Sequence, residues 1–214
     1  MNKKIIIGML FILAVASFSV RGTYSVIQSS IETQKAINAP YIGIDFVNGD
    51  GSAVSDNYLE SEAFGMPGDI IDDGVAIKNT ENTVAYVRVT IYRYWADEDG
   101  TKNLTAKEEP GYLDPEEIGF TVADDWLVFA GDEYSEVVYA YYTKPLEPGT
   151  MALIIDSYTY LDVNENNNLY ANKIAHLEFY GEGIQTIAAK EAFRAEWGVD
   201  VEFDTDMNIV SIGL

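Results

Sequence analysis

Cysteine is absent from this chain of 214 residues, and histidine occurs once, at His176. Disulfides therefore cannot stabilise the fold, and thiol nucleophiles, cysteine-based zinc sites and iron–sulfur clusters are excluded. A single histidine also cannot form an HExxH zinc site. Because His176 lies in a stretch of alternating polar and apolar residues, we interpret it as a surface or structural strand residue and not as a general base.

Basic residues are scarce, since 13 Lys and Arg stand against 35 Asp and Glu, which gives a net charge of −22. A field of this sign repels phosphate backbones and anionic lipids, so we expect no nucleic-acid partner. The acids form short clusters such as Asp97-Glu98-Asp99, which are typical of solvated loops. No P-loop, GxSxG or GxGxxG motif is present. We therefore predict that the protein is not an enzyme and has no catalytic residues.

A long apolar run occurs at the amino end, where Lys3 and Lys4 precede apolar residues 5–16 and then small and polar residues up to Ser25. This order is typical of a secretory signal peptide. The run is shorter than the ~20 residues that span a bilayer as a helix, and an uncleaved anchor is the alternative. Cleavage after Ala16 or after Ser25 fits the small residues there. We expect a secreted protein with no membrane attachment after cleavage.

Residues 85–95 alternate between apolar and mostly polar side chains, and this period of two predicts a strand with one face in a core. Pro67-Gly68-Asp69 and residues 79–82 are turn signals, so residues 71–78 are predicted to form the preceding strand of a hairpin. Ala85, Val87, Val89, Ile91 and Trp95 fall on one face, and Tyr86, Arg88, Thr90, Tyr92 and Tyr94 fall on the other.

The rest of the chain supplies further strand-like stretches, at residues 41–46, 118–122, 126–130, 137–143, 150–161 and 173–185. Residues 48–62 are interpreted as a turn and a polar connection. Helical spacing of Ala189, Phe193 and Trp197, followed by Gly198, predicts one short helix, and the tail could add a last strand. For residues 40–214 we predict an all-β, jelly-roll-like antiparallel β-sandwich with one or two short helices, because a parallel sheet needs a helix between successive strands.

Two further patterns concern ligands. Asp162, Asn164 and Asn166 have the alternate oxygen spacing of a calcium loop, but Asn167 and Lys173 replace the Gly and Glu that an EF-hand requires. We expect no cofactor, with a looser calcium site at this loop as the alternative. The chain has 15 tyrosines, and the close group of Tyr139, Tyr141 and Tyr142 is interpreted as half-buried strand aromatics, with carbohydrate contact as the alternative.

Residues 26–38 have neither clean alternation nor a strong helical pattern, and they look like a segment without a partner of its own. Their apolar residues are isolated from one another. They are Val26, Ile27, Ile31, Ala36 and Ile37.

Seven motifs occur in order along the chain. They are GTYS at 22–25, PGD at 67–69, VAIKNTENTVAYVRVTI at 75–91, LDP at 113–115, YYTKPLEPG at 141–149, IQ at 184–185 and AFRAEWGV at 192–199. Together, from the signal peptide to about Val199, they resemble the TasA/camelysin family, exported proteins of Gram-positive bacteria that a SipW-type signal peptidase processes. The resemblance implies a jelly-roll sandwich, cleavage between Ser25 and Val26, and a role as a subunit of extracellular biofilm-matrix fibres.

Fibre-forming members of that family join by donor-strand exchange, in which the amino-terminal segment of one subunit completes the sheet of the next. Carried onto this chain, the donor is the segment 26–39, and its partner is a second copy or a paralogous fibre subunit. Such a head-to-tail contact does not close on itself and yields a filament. The alternatives are a monomeric cell-surface or accessory matrix protein, and a camelysin-type cell-envelope metalloprotease.

Overall fold

The computed structural model describes most of the predicted β domain, namely residues 42–55, 58–63, 70–71, 74–131, 136–160 and 169–213. The signal peptide, the cleavage position between Ser25 and Val26, the segment 26–39 and the loop of Asp162, Asn164 and Asn166 lie outside the described residues. Predictions for these parts stay predictions.

Two antiparallel sheets face each other. Sheet I contains β1 (Ile44–Asn48), β2 (Ala53–Ser55), β4 (Ile70–Ile71), β5 (Val75–Asn79), β7 (Ile118–Val122) and β10 (Met151–Tyr160). Sheet II has the order β3 (Tyr58–Ala63), β11 (Ile174–Gln185), β6 (Ala85–Ala96), β9 (Val137–Tyr142), β8 (Trp126–Ala130). The chain passes repeatedly from one sheet to the other. The predicted all-β, jelly-roll-like antiparallel sandwich is confirmed.

The strand predicted at residues 85–95 is confirmed as β6, and its predicted core face is buried, but the opposite face is buried too at Tyr86. Val87, Val89 and Ile91 are fully buried in the core between the sheets, where they join Phe46 and Ile77 of sheet I. Since β6 pairs with β11 over its whole length and with β9 at residues 88–92, it lies in the middle of sheet II. Its position fixes which face of the neighbouring strands enters the core.

The predicted hairpin of residues 71–78 with β6 is wrong. β5 pairs with β1 and β10 in sheet I, so the connection to β6 crosses from one sheet to the other. Buried Asn79 shapes this crossing: its side-chain amide donates to the carbonyls of Thr83 (2.7 Å) and Leu146 (2.9 Å), and its side-chain oxygen accepts from the Glu81 N–H (3.1 Å). These bonds satisfy polar groups that would be costly to bury alone.

Two segments near the ends of the domain also differ from prediction. Residues 48–62, interpreted as a polar connection, include β2 and β3, because acidic residues in β3 mask its strand pattern. The tail does not join either main sheet. It forms a separate hairpin of β12 (Asp200–Phe203) and β13 (Ile209–Gly213).

The predicted helix is present as α1 (Ala189–Ala192), which continues as a π-helical turn, Phe193–Trp197, and ends at Gly198 with a φ of 70°. Its apolar stripe packs on the outer face of sheet II: the ring of Phe193 lies 5.4 Å from that of Tyr86 and 4.7 Å from that of Trp197. A second core thus covers part of this face. Within the described ranges, no helix has both the length and the apolar character to cross a bilayer.

We expect Gly183→Ala to destabilise the domain by about 1–2 kcal/mol, because overpacking a core costs that order of free energy. A Cβ at Gly183 would lie 2.6 Å from Cγ2 of Ile42 and 2.9 Å from Cδ1 of Ile44. The matched control is Gly49→Ala, where the nearest atom would be at 3.8 Å and the expected change is within about 0.5 kcal/mol. Urea unfolding of both variants measures the difference, and equal midpoints would contradict the packing.

Candidate assembly edge

β8 is the last strand of sheet II and pairs with β9 along one side. Nowhere in the described ranges does a strand pair with its other side. A strand in this position presents unsatisfied backbone N–H and C=O groups that can pair with another chain.

Hydrogen bonds at both ends of β8 reveal which of its backbone groups point outward. The Gly131 N–H donates to the Val137 carbonyl (2.7 Å), and the Thr143 N–H donates to the Asp125 carbonyl (2.9 Å). Because antiparallel partners alternate in their bonding, Leu127 and Phe129 also bond β9. The N–H and C=O of Val128 and Ala130, together with the C=O of Trp126, therefore face away from the sheet.

The composition of β8 leaves this edge unguarded. Its sequence is WLVFA, without charge, proline or glycine, and Val128 keeps 46% of its surface exposed. Natural edge strands are usually protected by charges, bulges or shortness. A strand with none of these features is suited to pairing with a further strand.

Three other outer strands of the two sheets, β2, β3 and β7, are better guarded. β2 has three residues and its pairing with β1 shifts register between Phe46 and Val47. β3 carries Glu60 and Glu62. On β7, the guanidinium of Arg93 donates to the Ile118 carbonyl (3.3 Å) and lies 5.5 Å from the Phe120 ring.

β8 is held firmly although, among the described strands, β9 alone pairs with it. Trp126 is buried in the core between the sheets, and its indole N–H donates to the Leu153 carbonyl in sheet I (2.7 Å). On the other face, Leu127 and Phe129 pack against the second core, and the Phe129 ring lies 5.9 Å from that of Tyr141. The outward backbone groups are therefore held in place before any partner arrives, which lowers the entropy lost on binding.

Charges flank β8 but do not lie along it. The Lys144 ammonium pairs with the Asp125 carboxylate at 2.8 Å, and this hydrogen bond raises the pKa of Lys144. Burial raises the pKa of Tyr142, with a smaller contribution from Asp125. Both residues that carry the ion pair are about half exposed, so the pair contributes little to stability.

The residues predicted for the donor strand and the calcium loop are not among those described, and the structure does not place them. In the described part of the chain, no group of three or more His, Asp and Glu side chains could hold a metal ion. His176 is buried on β11, where its ring stacks on Tyr94 at 4.8 Å.

Sequence patterns did not reveal how Arg88 packs on the outer face of sheet II. Its guanidinium pairs with Glu182 at 2.6 Å and lies 5.1 Å from the Trp197 ring and 5.2 Å from the Tyr139 ring. A desolvated arginine over aromatic rings contributes cation–π attraction in addition to its ion pair. Arg88 thereby ties β6, β11 and the helical segment together, and its contact with Tyr139 reaches β9, the strand that pairs with β8.

No protein-family model, curated protein or solved structure matches this chain. Function is therefore inferred from the edge geometry and from the chemistry of the residues around it.

We expect the amides of Val128 and Ala130 to exchange with solvent almost without protection, because their N–H groups point away from β9. The amides of Leu127, Phe129 and Gly131 should be protected, since they bond that strand. Hydrogen exchange followed by NMR on residues 40–214 measures this alternation. Equal protection at Val128 and Leu127 would mean that the edge is already paired.

Proposed function

We propose that this chain is a secreted structural protein, a subunit of extracellular matrix fibres in which residues 26–39 of one subunit pair with β8 of the next. The observation that carries the proposal is the unguarded, preformed edge of β8. The resemblance to the TasA/camelysin family supports the same function. It also supports processing by a SipW-type signal peptidase in a Gram-positive bacterium and a place in the matrix or at the cell surface.

Strand addition suits this edge because main-chain hydrogen bonds supply affinity while alternate side chains supply specificity. Each hydrogen bond contributes about 0.5–1.5 kcal/mol net, and association costs about 4–15 kcal/mol. A ladder limited to the outward groups of Trp126, Val128 and Ala130 is therefore marginal. Additional stabilisation has to come from burying Val26, Ile27, Ile31, Ala36 and Ile37 of the donor.

Electrostatic repulsion opposes assembly. Cleavage after Ser25 removes Lys3, Lys4 and Arg21 and no acidic residue, so the mature chain is more negative than −22. Salt screens repulsion between exposed charges, with a Debye length of about 8 Å at physiological ionic strength. The uncharged β8 is the edge at which a neighbour meets little local repulsion. Because salt screens the repulsion between the acidic subunits, we expect faster assembly as the salt concentration rises.

We expect residues 26–214 to form fibres and residues 40–214 to stay monomeric, because the shorter chain lacks the donor. Negative-stain microscopy and light scattering on the two proteins, across pH and calcium concentration, make the comparison. If both stay monomeric in every condition, assembly through this segment is wrong, and the monomeric accessory protein is the better description.

Val128→Lys should prevent fibre formation, because it places an ammonium on the proposed acceptor edge. The matched control is Val210→Lys on β13, where the valine is 55% exposed and the change in charge is identical. Both variants should keep the parent's thermal unfolding midpoint within a few degrees, since neither valine is buried. Fibres from Val128→Lys at the parent rate would exclude β8 as the acceptor.

A further inference from the structure

The part of the outer face of sheet II that lies beyond the second core carries an ordered group of side chains that fibre assembly does not use. Tyr92 on β6 is paired directly with Glu178 on β11, and Tyr180 is the next residue on the same face of β11. We call these three residues the Tyr–Glu corner. Tyr92 and Tyr180 each keep 38% of their surface exposed.

The corner has a defined geometry. The rings of Tyr92 and Tyr180 are 5.4 Å apart and nearly perpendicular, at 85°. The hydroxyl of Tyr180 donates to Oε2 of Glu178 at 3.0 Å, and the hydroxyl of Tyr94 donates to Oε1 at 2.7 Å. Each carboxylate oxygen can accept a further hydrogen bond. A carboxylate is thus fixed beside two aromatic rings.

This combination is chemistry that binds an organic ammonium ion. Aromatic rings attract a cation through their quadrupole, and a carboxylate adds charge and hydrogen-bond acceptors. The protein already uses this chemistry next to the corner: the Lys102 ammonium lies 5.1 Å from the Tyr94 ring and pairs with Glu136 at 2.7 Å. At the corner itself the acidic surface attracts a cation from outside the domain.

We infer that the Tyr–Glu corner binds amino-sugar polysaccharide, a polymer of sugar rings that carry free ammonium groups. The net charge of −22 is complementary to a polycation and repels acidic glycans. Tyr92 and Tyr180 are both partly exposed, so a ligand can reach the corner. Tyrosine rings offer apolar surface for the C–H face of a sugar, while Glu178 receives the ammonium. The inference is independent of fibre formation.

Isothermal titration of residues 26–214 with glucosamine hexamer, in buffer of about 0.15 M ionic strength, tests the inference. N-acetylglucosamine hexamer is the matched ligand without the charge. We expect the glucosamine hexamer to bind, and the N-acetylated hexamer to bind at least about tenfold more weakly, which is the effect of a partly desolvated cation–π and carboxylate contact.

Glu178→Gln and Tyr92→Leu should each weaken binding about tenfold, since the first removes the charge and the second removes one ring. Glu147→Gln, a change of an exposed acid elsewhere, is the control and should leave affinity within about twofold. Circular dichroism checks that the variants fold, and the two independent corner variants keep the test valid if one does not.

Three results would overturn the inference. Equal affinity for both hexamers would mean that the ammonium is not recognised. An equal loss in Glu147→Gln would indicate attraction to net charge alone. Tighter binding of hexalysine, with the same dependence on Glu178 and Tyr92, would assign the corner to a basic peptide.

Discussion

Burial of both faces of β6 is the constraint on which the rest of the structure depends. Val87 and Val89 face the core between the sheets, while Tyr86 on the opposite face packs against Phe193. A shift of one residue would exchange the two faces, so the register with β11 and β9 is fixed. The chain has no cysteine, and burial of this kind, worth about 1.5–3 kcal/mol for each large side chain, has to supply the stability.

The exposure of the β8 edge, Trp126–Ala130, follows from this arrangement. β9 and β8 extend sheet II outward from β6, and β8 is anchored by buried Trp126 in the core between the sheets and by partly buried Phe129 at the second core. These two side chains hold the strand in place, while its outward backbone groups have no strand partner among the described residues. An edge that is rigid, apolar and uncharged differs physically from the short or charged edges formed by β2 and β3.

The acidic surface gives the two proposed contacts different physical origins. At β8 the contact depends on backbone hydrogen bonds and apolar burial, and repulsion between subunits opposes it. At the Tyr–Glu corner the same negative field favours a cationic ligand, and two phenol hydroxyls hold the Glu178 carboxylate in position. Ionic strength should therefore affect the contacts in opposite directions, since salt screens repulsion and attraction alike.

The sequence by itself determined the local features of this protein. The period of two in β6 predicted the strand and the residues that face the core between the sheets, and the spacing of Ala189, Phe193 and Trp197 predicted the buried stripe of the helical segment. These patterns can be recognised because neighbouring side chains on one element share one environment. The acidic residues of β3 concealed a strand, because its composition resembles that of a solvated loop.

Only the tertiary structure decided which strands are neighbours. The turn after Asn79 resembles a hairpin turn, but β5 pairs with β1 and β10 in the opposite sheet, and the Asn79 side chain bonds the distant Leu146 carbonyl at the crossing. The sequence WLVFA predicts a strand without revealing that it is the last in its sheet. Tyr92 and Glu178 meet only because β6 and β11 pair. Strand partners are chosen by burial of apolar faces between residues far apart in the chain, and that choice has no local signal.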